Sequence, residues 1–492
     1  MKALTFALAA ASLAAQGLAT ETLTPEKVEA DIQLEELKRN LHDLNRIADA
    51  NGGNRAFGLP GYRASVDYVL ERAQTRFAPE YDTWVQPFNH TFAQVREISV
   101  TGPEGEAVDV IPLIYNPGTG EEGITAPLID TPVDDARGSA CFEDQWAGID
   151  ATGKLALVKR GTCAISDKLK LAKAHGALGV ILYHNLESTP NSATLGAENI
   201  GLLVPVGTIP LAVGSDWSAR LAANETLTVK LYVDAIFDTR ETWNIIADTK
   251  EGDPNNVIML GAHLDSVQAG PGVNDDGSGT SALLEIMTAF RRYTGFPNKV
   301  RFAWWGAEES GLVGSLYYTS TLASADADKI KFYFNYDMVG SPYPEFAVYA
   351  GDNAGDMVGA QALHDHLTAA GFPAHFGAFG SSSDYVGFLE LGIASSGLFT
   401  GAGAPADPCY HLACDTTDNV DYEALTANAR AAAAAAAQLA LADPAALPPR
   451  NTTSLNPRGG RANIRAQFEK WRRAAEHATL EKTCAHAGDH TV

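Results

Sequence analysis

From residue 240 to about residue 445 the sequence alternates between short apolar stretches and longer amphipathic ones. The apolar stretches, such as NVIML and VRFAWW, have the length of strands, and those between them, such as SGTSALLEIMTAFRRY, have the length of helices. Strands that are apolar along their whole length are buried on both faces. The alternation therefore predicts an α/β fold, in which a mostly parallel mixed sheet is covered by helices on both faces.

A second unit is inserted before that region. The chain has 492 residues, which exceeds the roughly 250–300 residues at which a single core stops growing. Helical patterns at 33–74 are followed from about residue 94 by short strands, and the segment 113–235 contains GKLALVKRGTCAISDKLKLAKAHGALGVILYHN. Its glycine-bounded strands around one helix predict a self-contained β-rich α+β insert. We therefore expect a catalytic unit at 236–445 that is interrupted by the insert, with a propeptide and the N-terminal part of the same unit at 20–112. A C-terminal extension is expected at 446–492.

The N-terminus has the features of a secretory signal peptide. Lys2 precedes a short apolar run, and Gly17-Leu18-Ala19 offers small residues before a cleavage site after residue 19. We expect a secreted protein, with the vacuole as the alternative. The predicted sites of N-glycosylation are Asn89, Asn224 and Asn451. A net charge of −24 argues against nucleic acid or an anionic membrane as a partner.

Five cysteines are compatible with an oxidising compartment. Neither a C-x-x-C motif nor clustered Cys/His spacing occurs, so a zinc finger is not expected. Sequence spacing favours two local disulfides, one inside the insert between Cys141 and Cys163 and one between Cys409 and Cys414, and it leaves Cys484 over. Pairing between the insert and the Cys409–Cys414 segment is the alternative.

Acidic and histidine side chains follow the predicted strands of the catalytic unit. A lone acidic pair is most often a solvated surface, and NDDGSG alone is most often a turn. Four separate segments nevertheless place such residues where a parallel sheet binds its ligands, at the carboxyl ends of its strands. These candidates are His263 and Asp265 after NVIML, Asp275 in the next glycine-rich loop, Glu308 and Glu309 after VRFAWW, Asp337 at the end of IKFYFNY, and His411 in DPCYHLACDTTDN.

A cation explains why so many carboxylates would gather. Two histidines and three carboxylates can hold two divalent metal ions with one carboxylate between them, and mixed nitrogen and oxygen ligands suit zinc best, with cobalt or manganese as alternatives. In extended chain the side chains of His263 and Asp265 share a face, so the Asp265 carboxylate could hydrogen-bond the histidine ring. One of Glu308 and Glu309 could ligate while the other transfers protons.

These motifs together resemble a known family. GAHLDSV, GPGVNDDGSG, AWWGAEESGL, NYDMVGS and CYHLACDT are similar to the two-zinc aminopeptidases, which include aminopeptidase Y and the secreted fungal leucine aminopeptidases. The resemblance covers about 240–445 and the segment NGGNRAFGLPGYRASVDYV at 51–69. The insert resembles a protease-associated domain.

The resemblance implies a role for each candidate residue. His263 and Asp337 would complete one zinc site, and Glu309 and His411 the other, with Asp275 as the bridge. The other implied roles are a general base for Glu308, support of the tetrahedral oxyanion for Tyr410, and contacts behind the ligands for Asp265 and Asp384.

The predicted activity is removal of the N-terminal residue from peptides with a free N-terminus, by a protein that we expect to be a monomer. A carboxypeptidase of the glutamate-releasing type shares the fold and the insert, but it would need arginines for the substrate carboxylate. A glutaminyl cyclase would need one zinc only. A receptor-like protein with a dead site would have lost ligands, whereas all five and Glu308 are present.

Overall fold

The computed structural model describes residues 21–187, 193–351 and 353–452. The predicted signal peptide, Cys484 and most of the predicted C-terminal extension lie outside these ranges. The helices are α1 (Pro25–Ala30), α2 (Leu34–Ala50), α3 (Pro60–Leu70), α4 (Ile165–Ala174), α5 (Leu211–Ala222), α6 (Gly277–Phe290), α7 (Val313–Thr321), α8 (Ser324–Ala327), α9 (Asp356–Ala369), α10 (Tyr385–Glu390) and α11 (Tyr422–Leu441).

The strands fall into a catalytic group and an insert group. In chain order they are β1 (Glu21–Thr22), β2 (Tyr81–Thr101), β3 (Ala107–Val108), β4 (Ile124–Asp130), β5 (Leu155–Lys159), β6 (Gly179–Tyr183), β7 (Val206–Ile209), β8 (Thr228–Thr249), β9 (Asp253–His263), β10 (Tyr293–Thr294), β11 (Asn298–Trp305), β12 (Ile330–Tyr336), β13 (Ala347–Tyr349), β14 (His375–Gly377) and β15 (Ser395–Phe399).

The catalytic sheet has the order β14-β13-β15-β12-β9-β11-β8. Its centre is parallel, because β9 pairs in parallel with both β11 and β12, and β12 pairs in parallel with β15. The strands β8 and β13 run antiparallel to their neighbours β11 and β15. The predicted mostly parallel mixed sheet is confirmed.

Alternate residues of the central strands enter two separate cores. Ile258 and Leu260 of β9 pack with α2, α6 and α11 on one face of the sheet. Their neighbours Val257 and Met259 pack with α7 and α10 on the other face. Because side chains alternate along a strand, an unbroken apolar run places apolar residues on both faces. Helices therefore cover the sheet on both sides, as the sequence predicts.

A long antiparallel ribbon connects the catalytic sheet to the insert. The ribbon consists of β2 and β8, which pair from Tyr81 opposite Thr249 to Thr101 opposite Lys230. The expectation of short strands from about residue 94 is wrong, because β2 is one continuous strand that begins at Tyr81. Its pattern is broken by Pro87, which a strand accepts at a sheet edge, where its missing N–H is not needed.

The insert has its own sheet and cores. Strands β4, β5, β6 and β7 pair in parallel in that order, and β4 also pairs with β8. Helices α4 and α5 follow β5 and β7 in the chain. The predicted disulfide between Cys141 and Cys163 is present in this unit. The expected boundary at residue 235 falls within β8, which belongs to both sheets.

None of the described helices is both long and apolar enough to cross a membrane.

Candidate metal centre

Three neighbouring parallel strands bring the candidate residues to one edge of the sheet. His263 is the last residue of β9, Asp337 directly follows β12, and Glu308 and Glu309 lie just beyond the end of β11. Asp275 enters from the loop between β9 and α6, and His411 from the loop between β15 and α11. The apolar strands thus end where the polar side chains begin, so the sheet itself determines the position of the site.

The five candidate ligands form two groups that share Asp275. In the first group Nε2 of His263 lies 3.1 Å from Oδ1 of Asp275 and 3.6 Å from Oδ1 of Asp337. In the second group Nε2 of His411 lies 3.2 Å from Oδ2 of Asp275 and 3.1 Å from Oε2 of Glu309. In each group one atom per residue lies within 4.8 Å of the others, close enough to hold a metal ion. The two oxygens of Asp275 thus face two different histidines.

The chemistry of the site fits divalent cations. The side chains of His263, Asp275 and Glu309 are at most 8% exposed, so their charges receive little help from water. One oxygen of Glu309, Oε1, is buried without a hydrogen-bond partner. Burial opposes ionisation of Asp275, but its hydrogen bonds with His263 and His411 hold its pKa below the ordinary value. Buried carboxylates that face histidine nitrogens, with an oxygen left over, are suited to zinc.

The carboxylate of Asp265 does not make the hydrogen bond to the His263 ring that extended chain geometry predicts. Nδ1 of His263 lies 3.0 Å from the backbone carbonyl oxygen of Asp265 and 3.8 Å from its carboxylate. The carboxylate instead accepts hydrogen bonds from the backbone N–H groups of Glu308, at 3.0 Å, and Glu309, at 3.4 Å. The expectation of a carboxylate bond to the histidine ring is wrong because β9 ends at His263, where strand periodicity stops.

Asp275 is positioned by side chains that the motif analysis did not single out. The carboxylate of Asp415 accepts hydrogen bonds from the backbone N–H groups of Asn274, at 2.9 Å, and Asp275, at 3.1 Å. The carboxylate of Asp407 accepts one from Nδ2 of Asn274 at 2.7 Å. Burial raises the pKa of Asp415 to about 7. Both carboxylates lie in the quoted segment around His411, so their proximity to that histidine was the available signal.

Arg55 is a further residue missing from the prediction. Its side chain is fully buried and donates to the carbonyl oxygens of Leu264, Pro271 and Gly272. These carbonyls belong to the loop between His263 and Asp275. A buried guanidinium there fixes the loop and offsets part of the negative charge of the cluster.

Ser383, the chain neighbour of Asp384, is hydrogen-bonded to Asp337. The Ser383 hydroxyl donates to Oδ2 of Asp337 at 2.6 Å and accepts from Nδ2 of Asn335 at 2.8 Å. Asp384 is buried beside the cluster, and one of its oxygens has no hydrogen-bond partner. Burial and then the charge of Asp337 raise the pKa of Asp384 to about 7, against the effect of His263.

Tyr410 and His411 lie in a loop closed by the second predicted disulfide, Cys409–Cys414. The two rings stack with centroids 3.8 Å apart. Burial and the charges of Asp275 and Glu309 raise the pKa of Tyr410 well above its ordinary value. The phenol therefore stays protonated and is a neutral donor beside the carboxylates.

Comparison with known proteins agrees with this geometry. The model of peptidase family M28 matches residues 244–436, and that of the PA domain matches residues 124–217, inside the predicted insert. An aminopeptidase of Pseudomonas aeruginosa is 36% identical over 89% of this chain and 90% of its own length. A probable leucine aminopeptidase 2 of Aspergillus fumigatus is 35% identical over 82% of each chain.

Two further relatives extend the comparison to the fold. Aminopeptidase Y of Saccharomyces cerevisiae is 32% identical over 82% of this chain and 78% of its own. The solved aminopeptidase of Aneurinibacillus sp. strain AM-1 superposes with a TM-score of 0.70 at 26% identity, covering 89% of this chain and 99% of its own. The resemblance inferred from the motifs is confirmed, and the chain belongs to peptidase family M28, with a PA domain inserted ahead of the peptidase region.

Proposed function

We propose that the protein is a secreted zinc aminopeptidase that hydrolyses the N-terminal residue from peptides. The observation that carries this proposal is Asp275, whose two oxygens face the two histidines of separate groups. A carboxylate in that position can bridge two metal ions. The relatives named aminopeptidases support the substrate class, peptides with a free N-terminus.

Each zinc ion has its own residues in this proposal. His263 and Asp337 hold one ion, Glu309 and His411 hold the other, and Asp275 bridges the pair. When bound, the two ions would polarise the peptide carbonyl and lower the pKa of a water molecule toward about 7. The side chains of the protein carry out all other steps.

Glu308 is the general base in this proposal. Its Oε2 lies 4.0 Å from Nε2 of His263, beside both groups without belonging to either. Burial and then the charges of Asp384 and Glu309 raise its pKa well above the ordinary value. A carboxyl with a raised pKa can take the proton of the attacking water and return it to the leaving amine. Hydrogen bonds from the backbone N–H groups of the turn to the Asp265 carboxylate fix the backbone that carries Glu308.

Tyr410 would stabilise the oxyanion that forms during attack. Its phenol is protonated and lies among the four carboxylates that raise its pKa. A preorganised donor of this kind contributes mainly in the transition state. Asp384 would contact the ligands from behind without binding a metal ion itself.

Arg55 bears on the carboxypeptidase alternative. That activity requires a cation for the C-terminal carboxylate of the substrate, and Arg55 is a buried arginine whose charge acts on Asp265, Asp275 and Asp276. Its guanidinium is occupied by three backbone carbonyls. Within the part of the chain that the structure describes, the site presents carboxylates to a substrate and no free cation. This favours recognition of an ammonium group and hence aminopeptidase activity.

The organisation of the chain completes the proposal. A signal peptide at 1–19 would direct secretion, with the PA domain at 113–235 between catalytic segments 20–112 and 236–445, and an extension at 446–492. Asn89 and Asn224 are exposed, as N-glycosylation requires, and Asn451 is partly exposed. Treating the secreted protein with an N-glycosidase should reduce its mass, and an unchanged mass would contradict glycosylation.

Glu308→Gln tests the base. We expect the variant to keep two zinc ions per chain while activity on leucine amide falls about 10²–10⁴-fold, because the amide cannot accept the proton. Glu285→Gln is the matched control, since Glu285 is another buried glutamate, bonded to the backbone N–H of Gln33. Loss of zinc from Glu308→Gln would make Glu308 a ligand, and full activity would remove it from the mechanism.

The substrate class is tested separately. Leucine amide, lysine amide and an N-acetylated leucine amide should be offered to the zinc-loaded protein. We expect cleavage of the two free amines only. Strong cleavage of the capped amide would contradict aminopeptidase activity without affecting the assignment of the base.

A further inference from the structure

The turn that carries Glu308 and Glu309 is held in an unfavourable backbone conformation. Ala307 and Leu312, which flank the pair, both have φ of 59°. Non-glycine residues in this left-handed region cost on the order of 1 kcal/mol each and persist only where their surroundings hold them. The turn therefore depends on its neighbours for the position of both glutamates.

The ribbon supplies part of that support. Ala307 is fully buried in a small core with Phe88 and Phe92 of β2, together with Phe57 and Val313. Phe88 and Phe92 belong to the strand that leads from the catalytic sheet into the insert. The same strand is tied to the loop after His263, because Nε2 of Gln268 donates to the carbonyl oxygen of Ala93 at 2.7 Å.

Tyr115, which belongs to the core of the insert, reaches the ribbon at this point. Its side chain is buried, and its hydroxyl donates to the carbonyl oxygen of Thr91 at 2.9 Å. Nε2 of His90 lies 2.7 Å from the same hydroxyl and donates to it, since the phenolic proton is already used. The backbone of Tyr115 is itself left-handed, with φ of 66°, which shows that this side chain is placed there at a cost.

The part of the ribbon that this hydroxyl holds packs on the catalytic turn, because Phe92, next to Thr91, shares the core of Ala307. Burial raises the pKa of the Tyr115 phenol, the Ser310 hydroxyl lowers it, and the charge of Asp265 raises it. Ser310 directly follows Glu309, and the Asp265 carboxylate accepts hydrogen bonds from the backbone of both glutamates. The insert thus reaches the turn through Tyr115 and the ribbon, and the loop after His263 contacts it through Asp265.

We propose that Tyr115 of the insert is a positioning residue for the turn that carries Glu308 and Glu309. Its hydroxyl, bonded to Thr91, holds the ribbon where Phe92 packs against Ala307, and with it the turn and the carboxylate of Glu308. The inference rests on the proposed function, in which Glu308 is the base. It gives the insert a part in the chemical step on every substrate, in addition to any effect on access for long peptides.

Tyr115→Phe tests this inference in the full-length, zinc-loaded protein. The change removes the hydroxyl and keeps the buried ring. We expect kcat to fall about tenfold, because displacement of a reacting group by about 1 Å can cost 10²-fold in rate. KM and the two zinc ions should be retained, and the fall in kcat should be equal for leucine amide and for a leucine tripeptide.

Tyr183→Phe is the matched control. Tyr183 is also a buried tyrosine of the insert, and its neighbours Asp130, Asp135 and Ser218 all belong to the insert. The same loss of one phenolic hydroxyl should there leave kcat unchanged. A tenfold loss of kcat in this control would overturn the inference, because any weakening of the insert would then suffice.

The decisive comparison combines Tyr115→Phe with Glu308→Gln. Once the base is absent its position no longer matters, so Tyr115→Phe should leave the residual rate of Glu308→Gln unchanged. An equal tenfold loss in both backgrounds would overturn the inference, as would an unchanged kcat in Tyr115→Phe alone. Failure of the proposed function is distinguishable, because Glu308→Gln alone would then be fully active.

Discussion

The two halves of the metal centre reach similar geometry by different means. His263 and Asp337 form the strand-borne half-site. His263 is the last residue of β9 and Asp337 follows β12, and each of these strands is paired on both sides within the sheet. Glu309 and His411, the loop-borne half-site, lie in a strained turn and in a loop where His411 itself has φ of 60°. Among the described residues, Asp275 is the one candidate ligand that both half-sites share.

The difference shows which interactions hold each half-site. The hydrogen bonds of the sheet hold the strand-borne half-site in position, and Ser383 adds one hydrogen bond to Asp337. The loop-borne half-site has no strand to hold it, so it depends on the Cys409–Cys414 disulfide, the Asp265 carboxylate and the ribbon. Ligand positions must be preorganised in either case, because ordering them on binding would cost entropy. Changes in the two halves should therefore have separable consequences.

Asp275→Asn should have the largest effect, since it alone acts on both half-sites. A neutral amide bridges two dications poorly, so we expect fewer than two zinc ions per chain after dialysis and more than about a hundredfold loss of activity. Asp418→Asn, an exposed aspartate of the loop that contains His411, is the control. Two retained zinc ions in Asp275→Asn would remove Asp275 from the bridge.

The Cys409→Ser, Cys414→Ser double variant should affect the loop-borne half-site alone. Without the covalent closure, His411 must be ordered when zinc binds, and we expect about 10–100-fold weaker binding of one ion in a chelator titration. The lost global stability should be only about 2 kcal/mol, because the closed ring is short.

The disulfide of the insert provides the crossed control. Cys141 and Cys163 are separated by 22 residues, so their removal should cost about 3 kcal/mol on the same chain-entropy model. The Cys141→Ser, Cys163→Ser variant should thus lose more stability and yet retain both zinc affinities. Equal weakening of zinc binding in the two variants would show that general stability, rather than local order, governs the loop-borne half-site.

Ser383→Ala should produce a smaller effect, in the strand-borne half-site. It removes the hydroxyl that donates to Oδ2 of Asp337, and contacts of this kind are worth at least about tenfold in metal affinity. Because the sheet still positions Asp337, we expect the effect to stay near that lower figure. Ser382→Ala, the exposed neighbour, should bind zinc normally. If Ser383→Ala weakened the other ion instead, the division into half-sites would be wrong.

The strand-borne half-site was also the easier one to predict from sequence. NVIML and IKFYFNY are mostly apolar, so their ends locate His263 and Asp337 at the edge of the sheet. The remaining ligands were found as motifs. Their supports were not, because contacts such as that between Asp415 and the backbone of Asn274 join residues 141 positions apart, which no local pattern reveals. The ribbon was missed for a local reason, the proline within β2.

The last effect concerns the ribbon that supports the loop-borne half-site, and it appears only in stability at acid pH. Burial lowers the pKa of His90 to about 4 from an ordinary value of 6.5. As pH falls below about 6.5, the unfolded chain binds a proton at this histidine while the folded chain does not. The free energy of unfolding therefore falls between about pH 6.5 and pH 4, by about 2 kcal/mol at pH 4.5 on account of this group.

His90→Gln keeps an amide that can donate to the Tyr115 hydroxyl but does not titrate. Denaturant unfolding of the metal-free proteins, in chelator at pH 6.5 and 4.5, excludes the contribution of zinc release, because neither protein then has zinc to lose. Carboxylates and the other histidines titrate alike in both proteins, so their effects cancel in the difference. The variant should lose about 2 kcal/mol less than the wild type over this interval. Equal losses would mean that His90 is not held neutral, and the loop-borne half-site would then have no acid-sensitive support at this position of the ribbon.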